Sequence, residues 1–203
     1  MLFRSLAKKY DAIMAGMNIT PKRMETINFT TAYAAGAHGF LVMKNSSLTK
    51  MPGGEFSLTK DLAAAEKAIA DLKPLLKGKI LGVQASTTNL AWAEKYFKDV
   101  AEIREYKTTE QHDLDVAAGR IDAAVVAHSA AKATMETATG KDMAIAGPAF
   151  SGGMLGLGVA VGIRKEDNDL KTAFDDAVKS AIADGTIKRL SEKWFKVDMT
   201  PKS

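Results

Sequence analysis

The sequence contains no cysteine, which excludes disulfide bonds and metal sites built from thiolates. Its three histidines, His38, His112 and His128, do not have the spacing of a metal-binding motif. No apolar run approaches the ~20 residues of a membrane-spanning helix. The net charge is only +4, with basic and acidic residues interspersed, so no concentrated basic patch for a nucleic acid is present. We therefore expect no metal or other cofactor and no nucleic-acid partner.

What the sequence does contain is the pattern of an α/β protein. Its 203 residues are 46% hydrophobic and 26% charged, which is ordinary globular usage and enough for one large core or two small ones. Segments of strand and helix character alternate, which predicts mixed or parallel sheets covered by helices. Strands are predicted at 26–30, 39–44, 80–84, 103–106, 122–127, 144–146 and 158–163, and helices at 61–72, 89–97, 110–118, 130–137, 169–184 and 186–194. Pro74 is expected to end the first of these helices.

The segment YDAIMAGMNITPKR (10–23) is the first candidate site. A short apolar run, Ala12–Ala15, ends in Gly16, and a polar turn then leads through Pro21 to Arg23. This order predicts a buried strand that opens into a loop, with Pro21 starting a helix. In open α/β sheets small ligands bind at the carboxyl ends of strands, and an arginine there can bind a carboxylate through two parallel hydrogen bonds. The local pattern alone is more typical of a surface arginine in the first turn of a helix.

The second candidate site is the turn Ser86-Thr87-Thr88, which follows the predicted strand 80–84 and precedes the helix 89–97. Free backbone N–H groups and the positive end of the helix dipole make such a turn suitable for an anion. The hydroxyl groups can also simply cap the helix. The sequence pattern by itself favours capping.

Four segments together resemble the solute-binding proteins of bacterial polar-amino-acid ABC transporters, a group that includes proteins for lysine/arginine/ornithine, histidine, glutamine, octopine and nopaline. They are YDAIMAGMNITPKRMETINFT (10–30), LKGKILGVQASTTNLAWAEKYF (76–97), AAGRIDAAVVAHSAA (117–131) and GVAVGIRKEDNDLKTAFDDAVKSAIADGTIKRLSEKWF (158–195). They occur in the order of the family and span nearly the whole chain, and the last segment is the most specific.

The resemblance implies a two-lobed α/β fold of the type II periplasmic-binding-protein class. The first lobe is then formed by residues 1–41 and 167–203, and the second by 42–166. Two strands, near 40–46 and 158–164, form the hinge. The implied ligand is an amino acid or an opine-like small molecule bound between the lobes, and the implied partners are the membrane subunits of an ABC transporter.

The resemblance also implies which residues bind the ligand. The residue that matches Arg23 binds the α-carboxylate from the first lobe, supported by the loop containing Ala15, Gly16 and Asn18. The residues that match Thr87 and Thr88 bind it from the second lobe, and Ser86 joins them on closure. Closure around the ligand is the hinge motion typical of such proteins.

One position departs from the family. After GRIDAAVV the amino-acid-binding members usually have an aspartate for the ligand's α-ammonium, but this chain has Ala127 followed by His128. A buried ammonium without a carboxylate partner is costly. Three explanations stay open: the ligand is not a simple α-amino acid, for example a secondary-amine conjugate such as an opine; His128 substitutes in part; or ligand binding is degenerate.

The resemblance begins part-way into the family's first lobe. Residues 2–9 match the helix before the binding strand, and the family's first strand, first helix and second strand have no counterpart, so we expect a truncated first lobe. The N-terminus has no signal-peptide pattern, although a parent protein of this family is exported to the periplasm. A truncated lobe exposes sheet edge and apolar helix surface, which predicts a homodimer through that lobe.

Two rival interpretations stand beside the transporter assignment. Cyclohexadienyl dehydratases resemble this fold but need a carboxylate general acid/base in the cleft, and no predicted pocket residue supplies one. The other rival is a remnant that keeps the fold and binds no ligand. Elsewhere, His38 and His112 are expected at the surface or between lobes. Core packing is expected for the aromatic residues Trp92, Phe97, Phe174, Trp194 and Phe195.

Overall fold

The computed structural model describes residues 8–201. The described chain forms two compact units, of which the first is made of residues 8–35 and 156–201, and the second of Gly36–Leu155. These limits differ from the expected lobe limits at 41/42 and 166/167. The reason is strand pairing: residues 38–43 pair on both sides with strands of the second unit, whereas residues 159–163 pair with the first.

The strands are β1 (Ala12–Ile13), β2 (Asn28–Phe29), β3 (His38–Met43), β4 (Glu55–Ser57), β5 (Ile80–Gln84), β6 (Glu102–Tyr106), β7 (Ala123–Ala127), β8 (Met143–Ser151) and β9 (Gly162–Ile163). The helices are α1 (Pro21–Met24), α2 (Leu62–Leu76), α3 (Thr88–Phe97), α4 (Thr109–Ala117), α5 (His128–Met135), α6 (Asn168–Ala183) and α7 (Thr186–Phe195). Short 3-10 turns lie at Ser47–Lys50 and Gly153–Leu155. No helix in the described part of the chain is long and apolar enough to cross a membrane.

The second unit is built on a six-stranded mixed sheet of order β4-β8-β3-β7-β5-β6. β7, β5 and β6 are parallel to one another, and β3 is antiparallel to both β7 and β8. The carboxyl ends of β5 and β7 and the beginning of β3 therefore lie at the same end of the sheet. Helices α3 and α5 begin at that end, shortly after β5 and directly after β7.

Helices cover both faces of this sheet, because side chains alternate along each strand. Phe40 faces the layer of α2 and α3, where it packs with Trp92, Phe97 and Phe150; the ring centroids of Trp92 and Phe97 are 5.1 Å apart. Leu41, the next residue of β3, faces the opposite layer and packs with residues of α4 and α5. The mixed, helix-covered sheet predicted from the sequence is thus confirmed.

The expected helix end at Pro74 is wrong, since α2 continues to Leu76 and contains the proline. Proline removes one backbone hydrogen bond from a helix. Leu72 and Leu76, one turn apart, are nevertheless both fully buried. Packing of the last turn outweighs the missing hydrogen bond.

The first unit has a three-stranded sheet of order β1-β9-β2, antiparallel throughout, with β9 in the centre. Its strands are only two residues long, shorter than the predicted strands 26–30 and 158–163. Ile13, Met17, Ile27, Phe29 and Ala160 form its small core. The helix expected at residues 2–9 lies largely outside the described residues, which begin at residue 8.

Helix α7 carries an apolar face that the described residues do not cover. Trp194 is 63% exposed, Leu190 40% and Phe195 39%. The expected core role of Trp194 and Phe195 is therefore wrong, whereas Trp92 and Phe97 are fully buried as expected. The amphipathic spacing of α7 correctly predicts a helix, but spacing does not say whether a neighbour covers the apolar face.

Candidate ligand-binding site

In the first unit, the loop after β1 places a turn beside an arginine. Gly16 has a φ of +64°, a backbone conformation that favours glycine. Among the described residues, nothing lies within 4 Å of its Cβ position. Ala15 and Gly16 are exposed, while Asn18 is half-buried. Thr20 then caps the short helix α1 by accepting a hydrogen bond from the Arg23 backbone N–H at 3.3 Å, with Pro21 at the first helical position. The predicted strand–loop–helix order is confirmed.

The guanidinium of Arg23 is held by the loop that it follows. Its Nη1 donates a 2.8 Å hydrogen bond to the Asn18 carbonyl oxygen. The side chain is half-buried, and burial lowers its pKa, although an arginine stays protonated in proteins. Within residues 8–201 no ion pair involves Arg23. A positioned cation with no carboxylate partner is suited to an incoming anion.

Tyr33 is a candidate that sequence reasoning missed. Burial raises the pKa of its phenol, and a backbone hydrogen bond with Gly16 acts in the opposite direction. The phenol thus lies against the loop that holds Arg23. Its backbone N–H is fixed by the Val159 carbonyl at 2.9 Å, a long-range contact that leaves no local signal in the sequence.

In the second unit, the turn Ser86–Thr88 connects β5 to α3. Ser86 is exposed and has a φ of +61°, which is unusual for a residue with a side chain. Thr87 is the N-cap of α3. Its hydroxyl accepts from the Leu90 N–H at 3.2 Å and donates to the Gln84 carbonyl at 2.7 Å. Thr88 is buried, with 8% exposure.

These hydrogen bonds give the Thr87 side chain a structural role among the three hydroxyl residues of the turn. The capping role of Thr87, the alternative favoured by the sequence pattern alone, is confirmed for its side chain. Because the Thr87 hydroxyl proton is directed to Gln84, an anion would meet the backbone N–H groups of this turn. The first N–H groups of a helix have no partner within the helix, and the dipole favours negative charge there.

Ala127 and His128 mark the junction of β7 and α5. Ala127 is the N-cap of α5 and makes no side-chain cap. The backbone N–H of His128 donates to the Ala37 carbonyl at 2.8 Å. The His128 ring lies over Gly39, where an added Cβ would stand 2.6 Å from Nε2. Burial, and then the positive charge of Lys132, lowers the pKa of His128.

The surface position expected for His38 is wrong, because the residue is 6% exposed, whereas the alternative, a position between the lobes, stays a prediction. It begins β3 directly opposite Ala127, and its Nδ1 lies 2.7 Å from Oδ1 of Asn89 in the first turn of α3. A surface position is wrong for His112 as well, which is 1% exposed and lies 2.8 Å from the Asp113 carboxylate. Pairing of β3 and packing of α4 bury these rings, and neither is visible in local sequence.

No cluster of residues with the composition of a metal site exists within residues 8–201. The one aspartate near the β7 segment, Asp122, lies at the opposite end of the strand. There it accepts hydrogen bonds from Lys79 Nζ and the Ile80 N–H, both at 2.9 Å. The candidate site residues of the two units therefore offer hydrogen-bond donors, one cationic side chain and neutral side chains.

Comparison with known proteins identifies the family of this chain. Residues 2–197 match the family described as bacterial extracellular solute-binding proteins, family 3. The chain belongs to this family. It is 46% identical to the octopine-binding periplasmic protein of Rhizobium meliloti, over 97% of this chain and 73% of that protein. It is 36% identical to the histidine-binding periplasmic protein of Salmonella typhimurium, over 95% of this chain and 67% of that protein.

Solved structures of family members confirm the type II fold of this solute-binding protein. A substrate-binding protein of an amino-acid ABC transporter from Streptococcus pneumoniae, solved with L-arginine, aligns with a TM-score of 0.75 at 21% identity, over 98% of this chain and 73% of that one. A protein of the His/Glu/Gln/Arg/opine group from Silicibacter pomeroyi, solved with lysine, aligns with a TM-score of 0.71 at 24% identity, over 98% and 76% of the two chains. At this identity the likeness concerns the fold.

Proposed function

We propose that this chain is the solute-binding component of an amino-acid or opine ABC transporter and that it binds its ligand through a carboxylate. The observation that carries the proposal is the half-buried, positioned guanidinium of Arg23, which has no carboxylate partner within residues 8–201. The names of the relatives support the ligand class, because they include octopine- and histidine-binding periplasmic proteins.

In this proposal each unit contributes one half of the carboxylate contact. Arg23 supplies a bidentate guanidinium, supported by the loop of Ala15, Gly16 and Asn18. The Ser86–Thr88 turn supplies backbone N–H groups at the positive end of α3. Closure is then a population shift, because a ligand that touches both units binds the closed state better than the open one. We propose that the hinge lies at the two chain crossings between the units, at 35/36 and 155/156, rather than in the strands near 40–46 and 158–164, because residues 38–43 pair within the second unit.

Binding without chemistry follows from the same residues. A dehydratase in this cleft would need a carboxylate as general acid or base, and the proposed site residues include none. We therefore propose that the protein is not an enzyme, acts outside the cytoplasmic membrane and delivers its ligand to the membrane subunits of the transporter. Absence of prephenate turnover supports this, and measurable turnover would contradict it.

Isothermal titration with L-arginine and with its N²-(1-carboxyethyl) derivative tests the carboxylate site. Arg23→Ala should weaken binding at least about thirtyfold, because truncating one partner of a buried charged pair typically costs about 2–5 kcal/mol. Lys22→Ala is the matched control, since Lys22 is the exposed neighbouring cation of the same helix. Equal affinities of wild type and Arg23→Ala would exclude the proposed role of Arg23.

Ala127 favours a second candidate, a protein that keeps the fold and binds no ligand. A thermal-shift screen of amino acids, opines and related carboxylates separates the two. A ligand that binds the folded state raises the Tm in proportion to the logarithm of its concentration above Kd. A concentration-dependent rise supports the receptor, and a cooperative melt with no rise for any compound supports the remnant.

We also propose that the first unit associates with a second copy of the chain. The support is the exposed apolar face of α7, with Leu190, Trp194 and Phe195, together with a sheet whose two outer strands have no further partner strand within residues 8–201. Light scattering at micromolar concentration should give a dimer, and Trp194→Glu should convert it to a monomer. A monomeric wild type would contradict this part of the proposal.

A further inference from the structure

His38 lies where three segments of the second unit meet. It begins β3, stands opposite Ala127 at the end of β7, and contacts Asn89 in the first turn of α3. The residue is 6% exposed. All three segments lie at the end of the sheet where the Ser86–Thr88 turn also follows its strand, β5.

The contact with Asn89 fixes the tautomer of the ring. Oδ1 of Asn89, 2.7 Å from Nδ1 of His38, can only accept a hydrogen bond. Nδ1 therefore carries the proton, and Nε2 keeps its lone pair. Burial lowers the pKa of His38 to about 4, and the neighbouring His128 acts in the same direction. The ring is thus neutral at neutral pH, with Nε2 as an acceptor that has no hydrogen-bond partner within residues 8–201.

Ala127 determines which side chain stands opposite this ring. Residues directly opposite on neighbouring strands have Cβ atoms about 5 Å apart, so a carboxylate at position 127 would stand next to His38. The methyl group of Ala127 offers no charge. His128 does not replace it, because its ring packs over Gly39, and Gly39 faces the other side of the sheet from His38.

We propose that His38 is a specificity-determining residue, whose Nε2 accepts the N–H of the ligand's α-nitrogen and selects amino acids in which that nitrogen carries a second, carboxyalkyl arm. A primary ammonium has three N–H donors and a full charge that a neutral acceptor leaves uncompensated. A secondary ammonium has two N–H donors and is flanked by two carboxylates of its own ligand, which compensate its charge. The inference rests on the proposed function and selects one ligand class within it.

Titration calorimetry with a matched ligand pair tests the inference. L-Arginine and its N²-(1-carboxyethyl) derivative differ only in the arm on the α-nitrogen. The wild type should bind the derivative at least tenfold more tightly. His38→Phe removes the acceptor while keeping a ring of similar size, and should reduce this preference to less than threefold, with a cooperative melt confirming that the variant is folded.

Ala127→Asp tests the same idea in the opposite direction. A carboxylate beside His38 supplies a partner for a primary ammonium and repels the second carboxylate of the derivative, so the preference should reverse in favour of L-arginine. Ala133→Asp is the matched control, because Ala133 is exposed on the adjoining helix, α5, and adds the same charge. Its preference should equal that of the wild type.

Histidine side-chain ¹⁵N NMR gives a readout that is independent of affinity. With only three histidines in the chain, His38 can be assigned by comparison with His38→Phe. We expect a protonated Nδ1 and an unprotonated Nε2 at pH 7, and a shift of the Nε2 signal when the derivative binds.

The outcomes separate the inference from the function on which it rests. If both ligands bind the wild type and L-arginine binds as tightly as the derivative, the proposed function stands and the inference is overturned. An Nε2 signal that the derivative leaves unchanged overturns it too. If neither ligand binds, the proposed function fails and the inference fails with it.

Discussion

The hydroxyl group of Thr87 donates a 2.7 Å hydrogen bond to the carbonyl of Gln84, which ties the first turn of α3 to the last residue of β5. The same oxygen caps the helix at the Leu90 N–H. A single hydroxyl therefore fixes the orientation of the N–H groups at this turn.

Replacement of Thr87 should lower stability in a graded way. Thr87→Ala loses the cap, and we expect the free energy of unfolding to fall by about 1 kcal/mol. Thr87→Ser keeps the hydroxyl and should stay within about 0.5 kcal/mol of the wild type. Urea melts measure both, and identical losses for the two variants would show that the hydroxyl is not what stabilises the turn.

Gly39→Ala should destabilise the second unit, because the added Cβ would lie 2.6 Å from His128 Nε2 and 3.1 Å from the Pro148 carbonyl oxygen. Overpacking of this kind typically costs about 1–3 kcal/mol, which chemical denaturation measures. Gly53→Ala serves as the control, since nothing lies within 4 Å of its Cβ position.

The double variant Gly39→Ala/His128→Ala removes the ring that the new methyl group would meet. We expect it to be more stable than the sum of the two single variants predicts, as shown by a double-mutant cycle in chemical denaturation. Strict additivity would mean that the His128 ring does not lie over Gly39.

The stability of the protein should fall as the pH falls from 6.5 towards 4. The unfolded chain protonates His38 with the ordinary pKa of 6.5, whereas the folded chain does so only at about 4. Between these values the unfolded state holds more protons, so acid favours unfolding, by up to about 3 kcal/mol. Urea melts at pH 7.5, 5.5 and 4.5 should show this loss in the wild type and a smaller loss in His38→Gln. Equal pH dependence of the two proteins would contradict the assignment.

Arg164→Met should lower the Tm more than Arg164→Lys. The guanidinium donates to the Tyr10 carbonyl at 2.7 Å and pairs with Asp167 at 2.6 Å and with Asp11 at 3.2 Å. Methionine keeps the stem and loses all three contacts, while lysine keeps the charge without the planar fork. Differential scanning fluorimetry gives the order, and equal Tm values for wild type and Arg164→Met would show that these contacts add nothing.

Features that depend on local chemistry could be predicted from the sequence. Pro21 starts α1 as expected, and Gly119 and Gly185 follow α4 and α6 with positive φ. The strand–turn–helix segment at 80–97 could be predicted from a run of apolar residues followed by three hydroxyl residues. These signals lie within a few residues of the structure that they specify.

Features that depend on distant partners could not be predicted in this way. The burial of His38 results from pairing with Ala127 and from a contact with Asn89, and the position of Tyr33 beside Gly16 results from its bond to Val159. The exposure of Trp194 is the converse case, in which an amphipathic pattern is correct but no described neighbour covers the apolar face. Carboxylate binding by Arg23, Ser86 and Thr88 stays a prediction.

The two units differ in how the chain builds them, and this has a consequence for synthesis on the ribosome. The second unit is one uninterrupted segment, Gly36–Leu155, so all of its strands are synthesised, and leave the ribosome, before β9 does. The first unit must wait, because its central strand is β9 and both neighbours, β1 and β2, precede the second unit. During translation the strands β1 and β2 thus stay without their partner β9 until the complete six-stranded sheet has left the ribosome, which makes the second unit the natural starting point of folding.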